Sequence, residues 1–275
     1  MVSSLGITDK MKDLFDQEGY MIFENVIPED MLTMLRQECS YFIGYMDAQL
    51  DAKGEAVAGI THRGKRYFIA NHYRKSPYLW RFLFSQMMAE LAQTALGDDV
   101  FLFHEQWVVK GPDQGMKFAW HQDSGYIKHS DGANTLKPYL TCWCALDNVS
   151  EENGTVYVLP HSVGGTKDMV FDHNREDETN DLVGYQGDNP GVAVEVPAGS
   201  IVAFSSYNFH RSGPNTTPNM RRVYLAQYTS EPVMTSKGGR FSQAVPFLRE
   251  GEVVYDNEED TEERYGMTDN AYNQG

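Results

Sequence analysis

Apolar and polar positions divide the chain into two regimes. In the first, up to about residue 98, hydrophobic residues recur mostly at helical spacing. "TDKMKDLFDQEGY" predicts a short helix opened by Thr8 or Asp9 and stopped near Gly19. "YMIFENVI" reads as a strand, and "PEDMLTMLRQECSYFIGYMDAQL" as a long amphipathic helix with Pro28 in its first turn. "KRYFIAN" predicts another strand, and "SPYLWRFLFSQMMAELAQTALG" a second long helix ending at Gly97. From residue 99 the period changes. Short apolar or alternating segments are separated by turn residues: "DVFLFHEQWVVK", "KFAWHQD", "PYLTCWCALDNV", "GTVYVLP", "GVAVEV", "GSIVAFSS" and "RRVYLAQY". Many short strands following helices predict a mainly β fold, a sandwich or jelly roll backed by helices.

No internal repeat or linker divides the chain, so one domain is expected over 1–275. It has a helical N-terminal part to about 98, a β core over about 99–230 and an acidic tail over about 250–275. The stretch 161–191 lacks a regular pattern, and its length suggests a surface loop or an active-site lid.

Composition narrows the setting. The chain has 275 residues, 41% of them hydrophobic, and a formal net charge of -16. Residues 250–275 hold nine acids and one base, Arg264, which reads as a solvated tail. Nucleic-acid binding is disfavoured, because phosphate contacts need clustered Lys and Arg. No apolar run approaches the ~18 residues that would span a bilayer, and the opening lacks the apolar core of a secretory signal. Three cysteines, Cys39, Cys142 and Cys144, fit a reducing, cytoplasmic setting better than a disulfide framework.

Two stretches carry candidate chemistry. In "WHQDSGY", His121 and Asp123 would share one face of a strand, with Gln122 pointing away. In "SYNFHRSGPNTTPNMRRVYL", His210 follows a strand that can lie opposite the first in a closed double sheet. Two histidines and one carboxylate on one face leave open octahedral positions, as a non-haem Fe(II) oxygenase requires. Arg221, eleven residues after His210, can point into the same interior. A buried guanidinium there needs an anion, and a bound dicarboxylate would supply one in bidentate fashion. Ser212 is placed to donate to that same carboxylate.

These segments, with "CWCAL", "ENGTVYVLP", "GSIVAFSS" and "HRSGPNTTPNMR", resemble the phytanoyl-CoA dioxygenase family of Fe(II)/2-oxoglutarate oxygenases. The similarity covers about 99–230, with a looser match at "QEGYMIFENVI". It implies a double-stranded β-helix (cupin-like) core, with His121, Asp123 and His210 as iron ligands and Arg221 on the distal carboxylate of 2-oxoglutarate. Ser212 would lie near that carboxylate and Trp143 beside the cosubstrate, with Gln106 on a strand lining the pocket. O2 and 2-oxoglutarate would occupy the open iron positions, and decarboxylation to succinate and CO2 would accompany oxidation of a substrate C–H bond, most simply hydroxylation. The chain departs from the family at "LPHSVGG", where P-G-S-H is common. It keeps Asp123 where related halogenases carry a small residue, which argues against halogenation.

The expected substrate is a small molecule or natural product; an acyl-CoA is the alternative within the family. Outside it, a non-redox cupin-like isomerase or hydrolase and a non-catalytic jelly-roll binding protein stay open. Substrate contacts are expected from Tyr126 and the 127–138 loop, from 161–191 and from the 62–75 segment. There Asn71 and His72 stand at the pocket mouth with Arg74, or form a plain turn. His104 shares strand parity with Gln106, so it either lines the pocket or is simply buried. Cys142 and Cys144 should face a covering layer if Trp143 faces inward. His129, His161 and His173 are expected to be exposed in loops.

Overall fold

A computed structural model describes residues 5–112, 117–132, 136–176 and 181–260. Its strands are β1 (Tyr20–Phe23), β2 (Val57–Ala58), β3 (Thr61–His62), β4 (Arg66–Ala70), β5 (Val100–Lys110), β6 (Phe118–His121), β7 (Leu140–Ala145) and β8 (Val156–Val158). They continue as β9 (Asn174–Arg175), β10 (Leu182–Val183), β11 (Val192–Ala193), β12 (Ile201–Ser205), β13 (His210–Ser212), β14 (Arg221–Thr229), β15 (Val245–Arg249) and β16 (Glu252–Val253). The α-helices are α1 (Asp9–Glu18), α2 (Glu29–Lys53), α3 (Trp80–Leu83), α4 (Gln86–Leu96), α5 (Asp123–Ser130) and α6 (His161–Gly164).

Two antiparallel sheets form a jelly roll. The larger runs β1-β12-β7-β14-β5-β4-β3-β2, with β15 and β16 attached at β5; the smaller runs β11-β8-β13-β6. The sheets thus reach beyond the expected 99–230 core: β1 to β4 come from the N-terminal part, and β15 and β16 from residues that follow it.

Helices α1 to α4 cover the outer face of the large sheet. In α2, Leu32, Leu35, Cys39 and Phe42 form one buried stripe, the spacing of an amphipathic helix. They join a core that takes Cys142, Cys144, Tyr224, Ala226 and Tyr228 from the sheet's outer face. The opposite face contributes Trp143, Val223, Val202 and Phe204, which pack with Val156 and Val158 of the small sheet. The C-W-C triplet therefore alternates as expected. In α1, Thr8 caps the first turn and accepts from Met11 N–H at 3.3 Å, and Gly19 ends the helix at φ 82°. A Cβ at Gly19 would also come within 2.2 Å of Asn208 Oδ1 and His161 Nε2, so glycine is required there on two counts.

Several expectations change. The long helix predicted over 76–97 is two helices. Ser85 is extended and its side chain accepts from Met88 N–H at 3.3 Å, so a cap starts a new helix where periodicity alone would continue the old one. Ile127–Ser130, expected as loop, belongs to α5. The 161–191 stretch holds α6 and the β9–β10 hairpin. His129 is exposed, but His161 and His173 are buried at 6% exposure. The acidic end is not wholly solvated. Asp260 accepts from Tyr73 Oη at 2.5 Å and pairs with Arg74 at 2.8 Å, and Tyr255 stacks on Phe84 at 3.4 Å. Residues 261–275 lie outside the described chain. Among the described residues no helix is long and apolar enough to cross a membrane.

Candidate active site

The small sheet brings the three candidate metal ligands together. β13 pairs with β6 so that His210 lies directly across from His121, with ring centroids 4.2 Å apart. Asp123 arrives differently from the expected strand alternation: β6 ends at His121, and Asp123 is the first residue of α5. Carboxylates are favoured in the first turn of a helix, and Ser124 N–H donates to Ser206 O at 3.1 Å, tying the turn down. Asp123 Oδ1 lies 3.5 Å from His210 Nε2 and 4.0 Å from His121 Nε2. One donor atom from each of the three falls within 4.8 Å of the others.

Each ligand is oriented by a second contact. His121 Nδ1 donates to Ala119 O at 2.8 Å, and His210 Nδ1 faces Asn208 O at 3.3 Å. A carbonyl can only accept, so both rings carry the proton on Nδ1 and turn the Nε2 lone pair inward. Asp123 Oδ2 accepts from Thr141 Oγ1 at 2.6 Å and Gln227 Nε2 at 2.9 Å, which leaves Oδ1 for a cation. Burial, then the facing His210, holds the His121 pKa below its ordinary value, so the imidazole is neutral and able to ligate. The donor set fits a divalent metal such as Fe(II).

Arg221 occupies the far wall. It is 1% exposed, and burial pushes its pKa down to about 10, still charged at neutral pH. Its Nη1 donates to Val108 O at 3.3 Å, its guanidinium lies 5.5 Å from the Trp143 ring, and Nε has no partner. No acid pairs with it among the described residues. The next residue, Arg222, points the other way and is fully matched by Asp147, with contacts of 2.6 and 3.0 Å. Lys110, opposite Arg221 in β5, is also buried. Its Nζ donates to the carbonyls of Ser212 and Gly213 and so fixes the turn that carries Ser212.

These groups share one cavity of about 420 Å³. The metal triad, Arg221, Ser212, Trp143 and Gln106 line one part of it. Met46, Ile60, Phe68 and Phe118 form an apolar wall, with Tyr126, His72, Arg175 and Asp181 as polar additions. Tyr126 lies edge-on to His121 at 5.4 Å, and its hydroxyl makes no hydrogen bond to the described protein. Asn71 and His104, for which lining the pocket was one of two readings, do not line it. Asn71 turns to accept from Gln243 Nε2 at 2.7 Å. His104 is fully buried, opposite Gln227 in the ladder.

Thr141 and Gln227 escaped the sequence reading although the signal was present. Thr141 shares strand parity with Trp143, and Gln227 with Arg221. The parts of the cavity wall contributed by Met46, Arg175 and Asp181 left no such signal, because their approach depends on how α2 and the hairpin pack.

Known proteins share the fold. The ectoine dioxygenase of Bordetella bronchiseptica is 24% identical over 229 residues, covering 78% of this chain and 73% of that protein. The α-ketoglutarate-dependent carbocyclase SnoK from nogalamycin biosynthesis superposes with TM-score 0.64 at 20% identity, covering 91% of this chain and 98% of SnoK. EctD from S. alaskensis with 2-oxoglutarate and 5-hydroxyectoine gives TM-score 0.63 at 21% identity, covering 87% and 83%. The family pattern for phytanoyl-CoA dioxygenase (PhyH) matches residues 15–223, most of the chain, which therefore belongs to that family of Fe(II)- and 2-oxoglutarate-dependent dioxygenases.

Proposed function

We propose that His121, Asp123 and His210 bind the iron, that Arg221 and Ser212 bind the distal carboxylate of 2-oxoglutarate, and that the enzyme hydroxylates a C–H bond of a small molecule. The observation that carries this reading is Arg221: a buried, charged guanidinium without an acid, in the same cavity as three converging donor atoms. An unpaired buried charge is costly, so the cavity is built for an anion opposite a metal. Iron and 2-oxoglutarate supply the oxidation when bound, with O2 consumed and succinate and CO2 released. The chain's own residues orient and shield. Thr141 and Gln227 hold Asp123 with Oδ1 toward the cation, Lys110 holds the Ser212 turn, and Trp143 and Gln106 flank the cosubstrate.

The substrate occupies the remaining space against Met46, Ile60, Phe68 and Phe118. A cavity of about 420 Å³ takes the cosubstrate and a small molecule, whereas a CoA moiety would extend over a chain of net charge -16. The substrate therefore has an apolar body and an acceptor group within reach of the Tyr126 hydroxyl. Burial keeps that phenol protonated, hence a donor. Ectoine, named for the relatives above, is one compact molecule of this size class to assay first.

The test is succinate formation. Protein supplied with Fe(II), 2-oxoglutarate and O2 should release succinate, and His210→Ala and Asp123→Gly should not. Asp123→Gly should not halogenate either. Succinate release at the wild-type rate by either variant would remove that residue from the metal site.

A further inference from the structure

Gln122 lies between two of the proposed ligands yet takes no part in the cavity. It is fully buried. Its amide donates to Met169 O at 2.9 Å and to Tyr207 O at 2.7 Å, and Oε1 accepts from Phe171 N–H at 2.7 Å. Its backbone N–H donates to His173 Nε2 at 2.9 Å, and His173 Nδ1 donates back to Phe171 O at 3.0 Å. The backbone bond matters because β6 stops at His121, so the N–H between the ligands has lost its ladder partner and needs an acceptor when buried. The His173 imidazole supplies it. The ring itself is wedged: a Cβ at Gly125 would approach it to 2.2 Å and one at Gly184 to 2.4 Å. One glycine lies in the ligand helix α5 and the other just after β10.

We propose that His173 and Gln122 form a clasp that sets the geometry of the His121–Asp123 turn, so that metal affinity and the packing of residues 169–173 are coupled. His173 is a positioning residue, acting on the metal through Gln122. The inference rests on the metal assignment made above. Coupling of this kind is reciprocal: metal binding should slow amide exchange over 169–173, and weakening the clasp should weaken metal binding. Groups that orient metal ligands typically contribute about 10–100-fold to affinity.

The experiment titrates Co(II) into full-length wild type, His173→Leu, His173→Gln and Gly184→Ala, recording the visible absorption of bound Co(II), with urea unfolding of the metal-free proteins as control. His173→Leu should bind about 10–100-fold more weakly with an altered spectrum. His173→Gln, whose amide oxygen can accept the Gln122 N–H, should recover most of the affinity. Gly184→Ala, which pushes on the ring and leaves both side chains in place, should move affinity and spectrum in the same direction as His173→Leu. A purely structural role predicts lower urea midpoints with unchanged affinity and spectrum in the folded protein, and that result overturns the clasp. So does a His173→Gln variant as impaired as His173→Leu. If His173→Leu does not fold, a wild-type spectrum and affinity in Gly184→Ala overturns it. Wild type without Co(II) affinity would instead remove the metal site itself.

Discussion

Arg221 and Arg222 are neighbours with opposite surroundings. Strand alternation sends Arg222 to Asp147 and Arg221 into the cavity, and only the second is left in want of an anion. The same alternation places Gln227 and Thr141 behind Asp123. Removing either donor leaves Asp123 Oδ2 with one partner in place of two and loosens the orientation of the carboxylate. Thr141→Val and Gln227→Leu should therefore each weaken metal binding about 10–100-fold while the protein stays folded, as metal titration beside thermal unfolding will show. Unchanged affinity in both variants would mean that Asp123 does not ligate through a fixed Oδ1. At this scale the sequence was most legible for residues whose partners are local in the ladder: His121, His210, Ser212, Trp143 and Arg221. For His104 and Asn71 it left two readings open, because their directions depend on the floor and the mouth of the cavity. It also read His173 as exposed, because nothing in its loop composition reveals a wedge between two distant glycines.

Among the elements, the strands and helices with a clean period were legible, and the boundaries set by side-chain capping were not. Ser85 splits a helix, and Asp123 begins one where a strand was expected; its carboxylate still converges with His121 and His210 because the tightened turn returns Asp123 to the same side. The C-terminal segment shows a further limit, since a run of like charge reads as solvated whatever one member docks against. The Asp260 side chain is 2% exposed against Arg74 at 13%. Losing one member of such a pair costs up to about 3–5 kcal/mol, and Arg74 keeps its bond to Gln243 Oε1 at 2.9 Å, which places the expected loss at the low end. Asp260→Asn should lower unfolding stability by about 2–3 kcal/mol in urea titrations, whereas Glu258→Gln, at the exposed surface, should change it by less than about 0.5 kcal/mol. Equal effects would show that the segment does not dock in solution.

For the molecule as a whole, fold class followed from the change of period near residue 99, but the extent of the large sheet did not, since it recruits short strands from both ends of the chain. Buried histidines also give the metal-free protein a pH dependence. Burial pushes the His104 pKa from 6.5 down to about 4. As pH falls, the unfolded chain takes up this proton first, so the contribution is complete above about pH 6.5 and is lost between there and about pH 4. His104→Gln removes that loss. The stability gap between wild type and variant should shrink by up to about 3 kcal/mol on going from pH 7 to pH 4, read from urea midpoints at each pH. A gap independent of pH would contradict the burial of a neutral imidazole.

In the proposed function one cavity joins a metal triad to a guanidinium reserved for the cosubstrate. That pairing is tested most directly by titrating 2-oxoglutarate into the metal-loaded protein, wild type against Arg221→Ala. The expected result is a loss of roughly a hundredfold or more in 2-oxoglutarate affinity, from about 3–5 kcal/mol for a broken buried pair at about 1.4 kcal/mol per factor of ten, with metal affinity unchanged. Equal 2-oxoglutarate affinity in the two proteins would contradict it.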